Sequence, residues 1–264
     1  MNKQIQRKRF SASLLLFEFR NITGNPYIHI FGIGLPVLMV LIFGKMLESN
    51  IPNAKALSTA VTGLFLGLGT MIPLAAMMVG YAATFSQELE KGIPQRLELF
   101  GIDTGMTIVS RILAELIFQV CSFVVYFTVG ALILRIEAPA FTGLACYVLC
   151  IVALGIISFA AAHAIALFFR KFGITYCVTM ILYFCVMIAS GMMGIDYEML
   201  PAPIQAVARL LPTNYIVRDF ADIWRGREYN FMPMLQAYLF TGALAGILLF
   251  FSLRRKAGKG VCTS

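Results

Sequence analysis

Residues 85–100 read FSQELEKGIPQRLELF and carry five charged side chains. Long apolar runs precede and follow this stretch, so it is a charged island within a hydrophobic chain. The charged residues are Glu88, Glu90, Lys91, Arg96 and Glu98. A chain that returns to apolar sequence on both sides of such an island is organised as separate hydrophobic segments joined by polar connections.

The composition indicates that these hydrophobic segments are solvated by lipid. Hydrophobic residues make up 59% of the 264 residues and charged residues only 13%, with a mean hydropathy of +0.83. That charged share is about half the share found in soluble domains. A membrane helix needs about 20 mostly apolar residues, and six segments qualify: residues 27–46, 57–85, 112–134, 141–169, 173–193 and 232–253. We therefore predict an all-α integral membrane protein with six transmembrane helices.

The distribution of basic residues predicts the orientation. If the N-terminus is cytoplasmic, 14 of the 21 Lys and Arg residues lie on the inside. They are Lys3, Arg7, Lys8, Arg9, Arg20, Lys91, Arg96, Arg111, Arg170, Lys171, Arg254, Arg255, Lys256 and Lys259. Because cytoplasmic loops are enriched in basic residues, this orientation is favoured and both termini are cytoplasmic. The net charge of +8 then reflects topology rather than nucleic-acid binding.

An amphipathic helix is predicted ahead of the first span. In residues 10–20, FSASLLLFEFR, the apolar residues Phe10, Leu14 and Phe17 recur at helical spacing. This pattern is typical of a helix that lies in the plane of the membrane interface. The alternative is a simple cytoplasmic extension of the first span, but Asn25-Pro26 separates the two.

The charged island itself predicts a short cytoplasmic helix. Gly92 is suited to end the second span, Pro94 to begin a new helix, and Gly101 to end that helix. Its apolar positions fall on one face: Ile93, Leu97 and Phe100. A helix this short needs a surface to pack against, so the stripe favours a docking surface. A solvated loop is the alternative.

Residues 194–231 form the longest connection and lie on the outside in this topology. Prolines divide it into two short helices. The first presents Ile204, Val207, Ala208 and Leu211 on one face, and the second presents Val217, Phe220 and Trp224. We expect Trp224 at interfacial depth, where tryptophan is enriched. The two helices either cap the outer ends of the spans or are ordinary loop helices.

Polar residues within the spans are few. Arg111, Glu115 and Gln119 form a stripe at the cytoplasmic start of the third span, a polar seam that links the charged island to the membrane interior. The alternative is a local Arg111–Glu115 pair that helps the helix enter the membrane. The spans also contain methionines that either line an adaptable translocation path or fill the core: Met71, Met77, Met180 and Met187.

Close helix contacts are permitted by two glycine pairs, Gly63/Gly67 and Gly242/Gly246, each with three intervening residues.

The sequence lacks the motifs expected of a nucleotide-binding, metal-binding or catalytic chain. No G-x-x-x-x-G-K-[ST] sequence is present, so no nucleotide-binding loop is recognisable. The six cysteines form no CxxC pair, and with two histidines a metal site is not expected. Ser190-Gly191 lacks the glycine at position 188 that a membrane serine protease motif requires. We expect no catalytic residues.

Three stretches together resemble the membrane permeases of ABC-2 type transporters. The first is the amphipathic helix followed by Asn25-Pro26 and a Phe/Gly/Leu/Pro-rich span. The second is ELEKGIPQRLEL, residues 88–99. The third runs from Ser190-Gly191 through Leu200-Pro201 and Leu211-Pro212 to Arg225-Gly226. The resemblance covers essentially the whole chain. It departs from the family pattern at Ile93, where a threonine is common, and at residues 101–105, GIDTG, in place of a Thr/Ser-Pro step.

The resemblance implies a single transmembrane domain over residues 1–264. Residues 1–26 would contain the connecting helix, 86–110 the cytoplasmic coupling loop and 194–231 the extracellular loop. It also implies an ABC ATPase partner, with ATP and magnesium bound there, and a second permease chain, alike or different. The residues that would couple to the ATPase are Glu88, Glu90, Lys91, Arg96, Leu97 and Glu98.

The function implied is ATP-driven export by alternating access across a bacterial plasma or inner membrane. Because the spans are nearly uncharged, the expected cargo is apolar or amphipathic: a drug, peptide or lipid-like molecule. Two alternatives belong to other classes. One is a non-transporting membrane scaffold or immunity subunit, and the other is a membrane hydrolase with a reactive serine.

Overall fold

The computed structural model describes residues 12–193 and 197–260, and every regular element in these ranges is helical. Some sequence-based assignments fall outside the described residues. They are the basic residues at positions 3–9, Phe10, residues 194–196 of the outer loop, the basic side chains at positions 255–259, and Cys262.

The helices in chain order are α1 (Ala12–Thr23); α2, built from Pro26–His29, Ile30–Gly34 and Leu35–Asn50; α3, built from Ala54–Gly69, Met71–Pro73, Leu74–Gly80 and Tyr81–Glu90; α4 (Ile93–Leu99); α5 (Thr104–Ile133); α6 (Phe141–Phe169); α7 (Phe172–Ala189); α8 (Ala202–Ala208); α9 (Pro212–Trp224); and α10 (Met232–Gly260). A 3-10 turn, Tyr197–Met199, precedes α8.

Six of these helices are long and apolar enough to cross a membrane, which confirms the predicted number of spans. They are Ile30–Asn50, Ala54–Glu90, Gly105–Ile133, Phe141–Phe169, Phe172–Ala189 and Met232–Arg254. The third begins earlier than the predicted residue 112. Asp103 Oδ2 accepts a hydrogen bond from the Gly105 backbone N–H at 3.2 Å and caps α5 one residue before Thr104. Arg111 therefore lies inside the span rather than ahead of it.

The second span, α3, is the central helix of the domain. Of its most apolar 18-residue window, 89% is buried inside the protein, whereas the corresponding share is 17–33% for the other five spans. Those five helices each keep a wide apolar face for lipid and pack one side inward. A displacement of α3 would therefore change the packing of the other spans around it.

Two helices contain a π-helical segment, and the two segments touch. Ile30–Gly34 lies in α2 and Leu74–Gly80 in α3. Pro73, directly before the second segment, has no N–H and interrupts the regular hydrogen-bond ladder. Gly80 lets α2 approach closely, since a Cβ there would collide with the Ile28 side chain. π-helical turns are frequent at functional sites because they carry irregular backbone into a helix.

The connection between α7 and α10 forms a cap over one end of the spans through α9. A Cβ on Gly67 would lie 3.1 Å from Val217 Cγ2, and one on Gly63 would lie 3.7 Å from the Ala221 Cβ. This glycine pair is thus used for close packing of α9 on α3 within one chain. Gly242 packs similarly against Ile157 of α6, whose Cδ1 would be 3.6 Å from an added Cβ.

Trp224, the only tryptophan in the sequence, lies inside the protein, and its interfacial depth stays a prediction. It is 2% exposed, and its Nε1–H donates to the Glu137 carbonyl at 2.8 Å. Its ring lies 5.9 Å from that of Tyr147 on α6. Helix α9 thus turns its apolar face onto the spans. At the same end, Arg225 donates to the Glu137 carboxylate, and this hydrogen bond lowers the pKa of Glu137.

We expect Gly143→Ala to destabilise the protein. A Cβ at this position would lie 2.6 Å from the Ile223 carbonyl oxygen and 2.7 Å from the Trp224 Cα. Both are backbone atoms and cannot rotate away. Overpacking of this kind costs about 1–3 kcal/mol, so the melting temperature of the purified chain in detergent should fall by roughly 3–10 °C.

Gly246→Ala is the matched control for this prediction. Gly246 lies in α10, and nothing lies within 4 Å of a Cβ added there. Because alanine is the better helix former, the melting temperature should stay the same or rise slightly. An equal melting temperature for the two variants would contradict the tight contact at Gly143.

Candidate functional site

The charged island forms a helix with defined ends. Gly92, at φ 67°, ends α3 and starts α4, and Gly101, at φ 79°, ends α4. At the second end the Ile102 N–H donates to the Leu97 carbonyl and the Gly101 N–H to the Glu98 carbonyl, both at 3.0 Å. This pair of bonds is a Schellman motif, which satisfies carbonyls that a short helix otherwise leaves open. The structure thus has the predicted helix and not the alternative, a solvated loop.

The apolar side chains of α4 divide between two directions. Ile93 and Leu97 are half-buried and face the spans. Phe100, predicted on the same stripe, is instead 76% exposed, and the adjacent Leu99 is 85% exposed. The predicted stripe is thus half-buried at Ile93 and Leu97 and exposed at its C-terminal end, Phe100. We call Leu99 and Phe100 the exposed pair.

The predicted coupling residues are not all on the surface. Lys91, Arg96 and Glu98 are exposed around α4. Glu90 is exposed too, and its carboxylate accepts the Phe172 backbone N–H at 3.3 Å, at the N-terminus of α7, where negative charge is favoured. Glu88, in contrast, is only 6% exposed and points into the protein.

Glu88 belongs to a buried charge cluster centred on Arg111. The Arg111 side chain donates from Nε to Glu18 Oε1 at 3.1 Å and from Nη2 to the Glu88 carboxylate. Asn21 Nδ2 donates to the other Glu88 oxygen at 2.9 Å. These residues come from α1, α3 and α5, so one guanidinium ties three helices together. We call Glu18, Glu88, Arg111 and Glu115 the charge cluster.

The alternative interpretation, a local pair of Arg111 with Glu115, was wrong. Arg111 faces Glu18 and Glu88, and Glu115 Oε2 is buried without a hydrogen-bond partner. Glu115 is 1% exposed and lines a small cavity with Glu18, Tyr81 and Arg111. Three carboxyl groups therefore surround one guanidinium. Outside the spans, burial raises the pKa of Glu18, an effect that the nearby Arg111 guanidinium opposes.

The polar seam continues from the charge cluster into the membrane interior. Gln119, 3% exposed, donates from Nε2 to the Ile151 carbonyl of α6 at 3.4 Å. Nearer to α4, Tyr81 OH and His163 Nδ1 are 2.6 Å apart and connect α3 to α6. The predicted seam is thus buried inside the bundle, and its two ends, Arg111 and Gln119, are bonded to neighbouring helices.

Sequence reasoning missed Glu18, Asn21, Tyr81 and His163 as members of this network. One signal was available: Glu18 and Asn21 of α1 and Asn25 just after it follow each other at three- and four-residue spacing. Asn25 Nδ2 donates to Thr84 Oγ1 of α3 at 3.0 Å, so this polar face does turn inward.

The methionines proposed for a translocation path lie in the core of the chain. Met71, Met77 and Met187 are at most 1% exposed, and Met180 is half-buried. Their role in a path stays a prediction. Among the described residues, no group of three or more His, Cys, Asp or Glu side chains is placed to hold a metal ion.

We expect Arg111→Met to lower the stability strongly. Methionine preserves much of the volume but leaves the Glu18 and Glu88 carboxylates buried without their cation. Removing one partner of a buried ion pair costs about 3–5 kcal/mol. The melting temperature in detergent, measured beside wild type, should fall by roughly 10 °C or more.

Arg96→Met is the control, because it removes an exposed arginine from the neighbouring helix α4. Exposed substitutions usually change stability by less than about 0.5 kcal/mol. If both variants have the melting temperature of the wild type, the charge cluster does not hold the helices together.

The whole of this arrangement lies within a recognised family match. The chain matches the family model described as ABC-2 type transporter over residues 12–223. The match begins at the first residue of α1 and ends one residue before the end of α9, so it includes α4 and the charge cluster. No curated protein and no solved structure matches the chain. Because the family match covers most of its length, the chain belongs to the ABC-2 type transporter family, as a membrane-spanning permease component.

Proposed function

We propose that this permease subunit works in an ATP-driven exporter and that α4 docks on a separate ABC ATPase. The exposed pair is the observation that carries the proposal. Leu99 and Phe100 project from a helix whose ends are set by Gly92 and Gly101, next to the exposed charges of Arg96 and Glu98. An apolar anchor with charges at its rim is a common form of protein-binding surface.

The connections of α4 support a mechanical role. Gly92 joins it directly to α3, and the short turn after Gly101 joins it to α5. The ion pair between Glu88 and Arg111 holds those two spans together at the same end. A push on α4 would therefore move α3 and α5 as a unit, and α1 with them through Glu18.

The π-helical segment of α3 is the proposed site of the conformational change. Leu74–Gly80 lies between the charge cluster near one end of α3 and the contact of Gly67 with α9 near the other. Shifting between π and α hydrogen bonds lets one half of a helix move against the other. In our proposal, nucleotide-driven closure of the ATPases selects between two such arrangements and so between inward- and outward-facing states.

The remaining parts of the proposal follow from the family. A second permease chain, alike or different, would complete the path, and the ATPase subunits would hold ATP and magnesium. Arg111, Glu115 and Gln119 would line the part that moves with α4. Apolar or amphipathic cargo is favoured because the spans carry few charges. The site of action would be a bacterial plasma or inner membrane, where the chain is a multi-pass protein.

We expect Phe100→Asp to uncouple the permease from its ATPase. The substitution places a carboxylate at the centre of the proposed docking surface, and loss of such an anchor costs about 2 kcal/mol or more. Vanadate-sensitive ATP hydrolysis by the complex in proteoliposomes should fall at least about tenfold at limiting ATPase concentration. The melting temperature of the chain alone should not change, because Phe100 is 76% exposed.

Met199→Asp provides the control. Met199 is also 76% exposed, but it lies in the connection between α7 and α8, across the membrane from α4. ATP hydrolysis should match the wild type. The docking assignment is overturned if Phe100→Asp leaves stimulated ATP hydrolysis and export intact, and a scaffold function would then be favoured.

A further inference from the structure

A cavity lies between α4 and the cytoplasmic ends of the spans, beside the charge cluster. Leu97 and Glu98 of α4 form one wall, and Leu167 of α6 and Leu253 of α10 form another. Phe85 of α3 contributes an aromatic ring to the lining. The interior is thus mostly apolar, and it lies where the spans end and the membrane surface begins.

Arg170 also lines this cavity, and its backbone is unusual. The described residues have five positions with positive φ, of which four are glycines and the fifth is Arg170, at φ 54°. It follows the last residue of α6, where its N–H donates to the Ala166 carbonyl at 2.9 Å. Glycine is the usual residue at such a helix end, because a side chain costs about 1–2 kcal/mol in this conformation. The Arg170 side chain is thus held at a backbone position that favours glycine.

The other two basic side chains in the cavity, Arg111 and His163, are already engaged. Arg111 is held by Glu18 and Glu88, and His163 by Tyr81. Glu98 lies on the α4 side of the lining and is exposed to solvent. The half-buried residue Arg170 therefore supplies a positive charge at the span ends, beside an apolar interior.

We propose that this cavity binds an acidic phospholipid, with its phosphate on Arg170 and the start of a hydrocarbon chain against Leu167 and Leu253. Basic pockets between transmembrane helices at the cytoplasmic surface are suited to phospholipid headgroups. Arginine matches a phosphate with two parallel hydrogen bonds. The location at the end of the spans places headgroup and chain at their ordinary depths in the bilayer.

A lipid in this cavity would stabilise the position of α4 against the spans. Its chain would contact Leu97 on α4 and Leu167 on α6 at the same time, filling the space between the short helix and the bundle. Helix α4 has no fully buried residue of its own, so an occupant would add to the surface that holds it. This inference concerns lipid binding by the chain and does not rest on the proposed export function.

The test compares the full chain in nanodiscs of phosphatidylcholine alone and with about one fifth phosphatidylglycerol. Because a ligand that binds only the folded state raises its stability, the anionic lipid should raise the wild-type melting temperature by roughly 2–4 °C. In Arg170→Gly this increment should disappear. Its melting temperature in pure phosphatidylcholine should equal or exceed that of wild type, because glycine relieves the backbone strain.

Arg254→Gln is the matched control. Arg254 lies at the same membrane surface, over the ring of Phe250 at 4.4 Å, and does not line the cavity. Arg254→Gln should keep the full rise in melting temperature with phosphatidylglycerol. An equal rise in wild type and in Arg170→Gly would overturn the proposal. A third arm adds inorganic phosphate to phosphatidylcholine nanodiscs. If phosphate alone reproduces the increment, the occupant is a free anion and the lipid assignment fails.

Discussion

Burial of the Arg111 guanidinium is the constraint on which the inner half of this structure depends. An arginine cannot lose its proton in a protein and cannot be left unpaired in an apolar interior. Helix α5 begins ahead of Arg111, so this residue lies inside the span. It therefore needs acidic side chains from neighbouring helices as partners. They come from Glu18 and Glu88, on helices before it in the chain. The paths of α1 and α3 at this end follow from that requirement.

The same constraint explains how a seven-residue helix keeps a fixed position. Taken alone, α4 is too short to be stable in water. Its entry is fixed because α3 is anchored at Glu88 four residues before Gly92, and its exit because α5 is anchored at Arg111. Two positive-φ glycines then set the directions of the chain between these anchors. The exposed pair keeps its position because these anchors and glycines fix α4, and not because its own side chains pack against the protein.

Much of this architecture was predictable from local sequence. Runs of apolar residues determine the six spans, and Gly92, Pro94 and Gly101 determine α4, because both signals act within a few residues. The pairing of Arg111 was not predictable in this way. Glu115 is the nearest acid along the helix, yet the partners chosen lie 23 and 93 residues away. The burial of Trp224 was missed for the same reason: an amphipathic helix looks alike whether its apolar face meets lipid or protein.

The Trp224 contact has a practical consequence for watching this protein at work. With one tryptophan in the chain, intrinsic fluorescence is a single-site signal. The indole is enclosed between α9, α6 and the Glu137 carbonyl at the end of the molecule opposite α4. Its emission wavelength therefore reports whether the outer cap is closed against the spans. The native sequence thus carries an optical probe at the end of the bundle opposite α4.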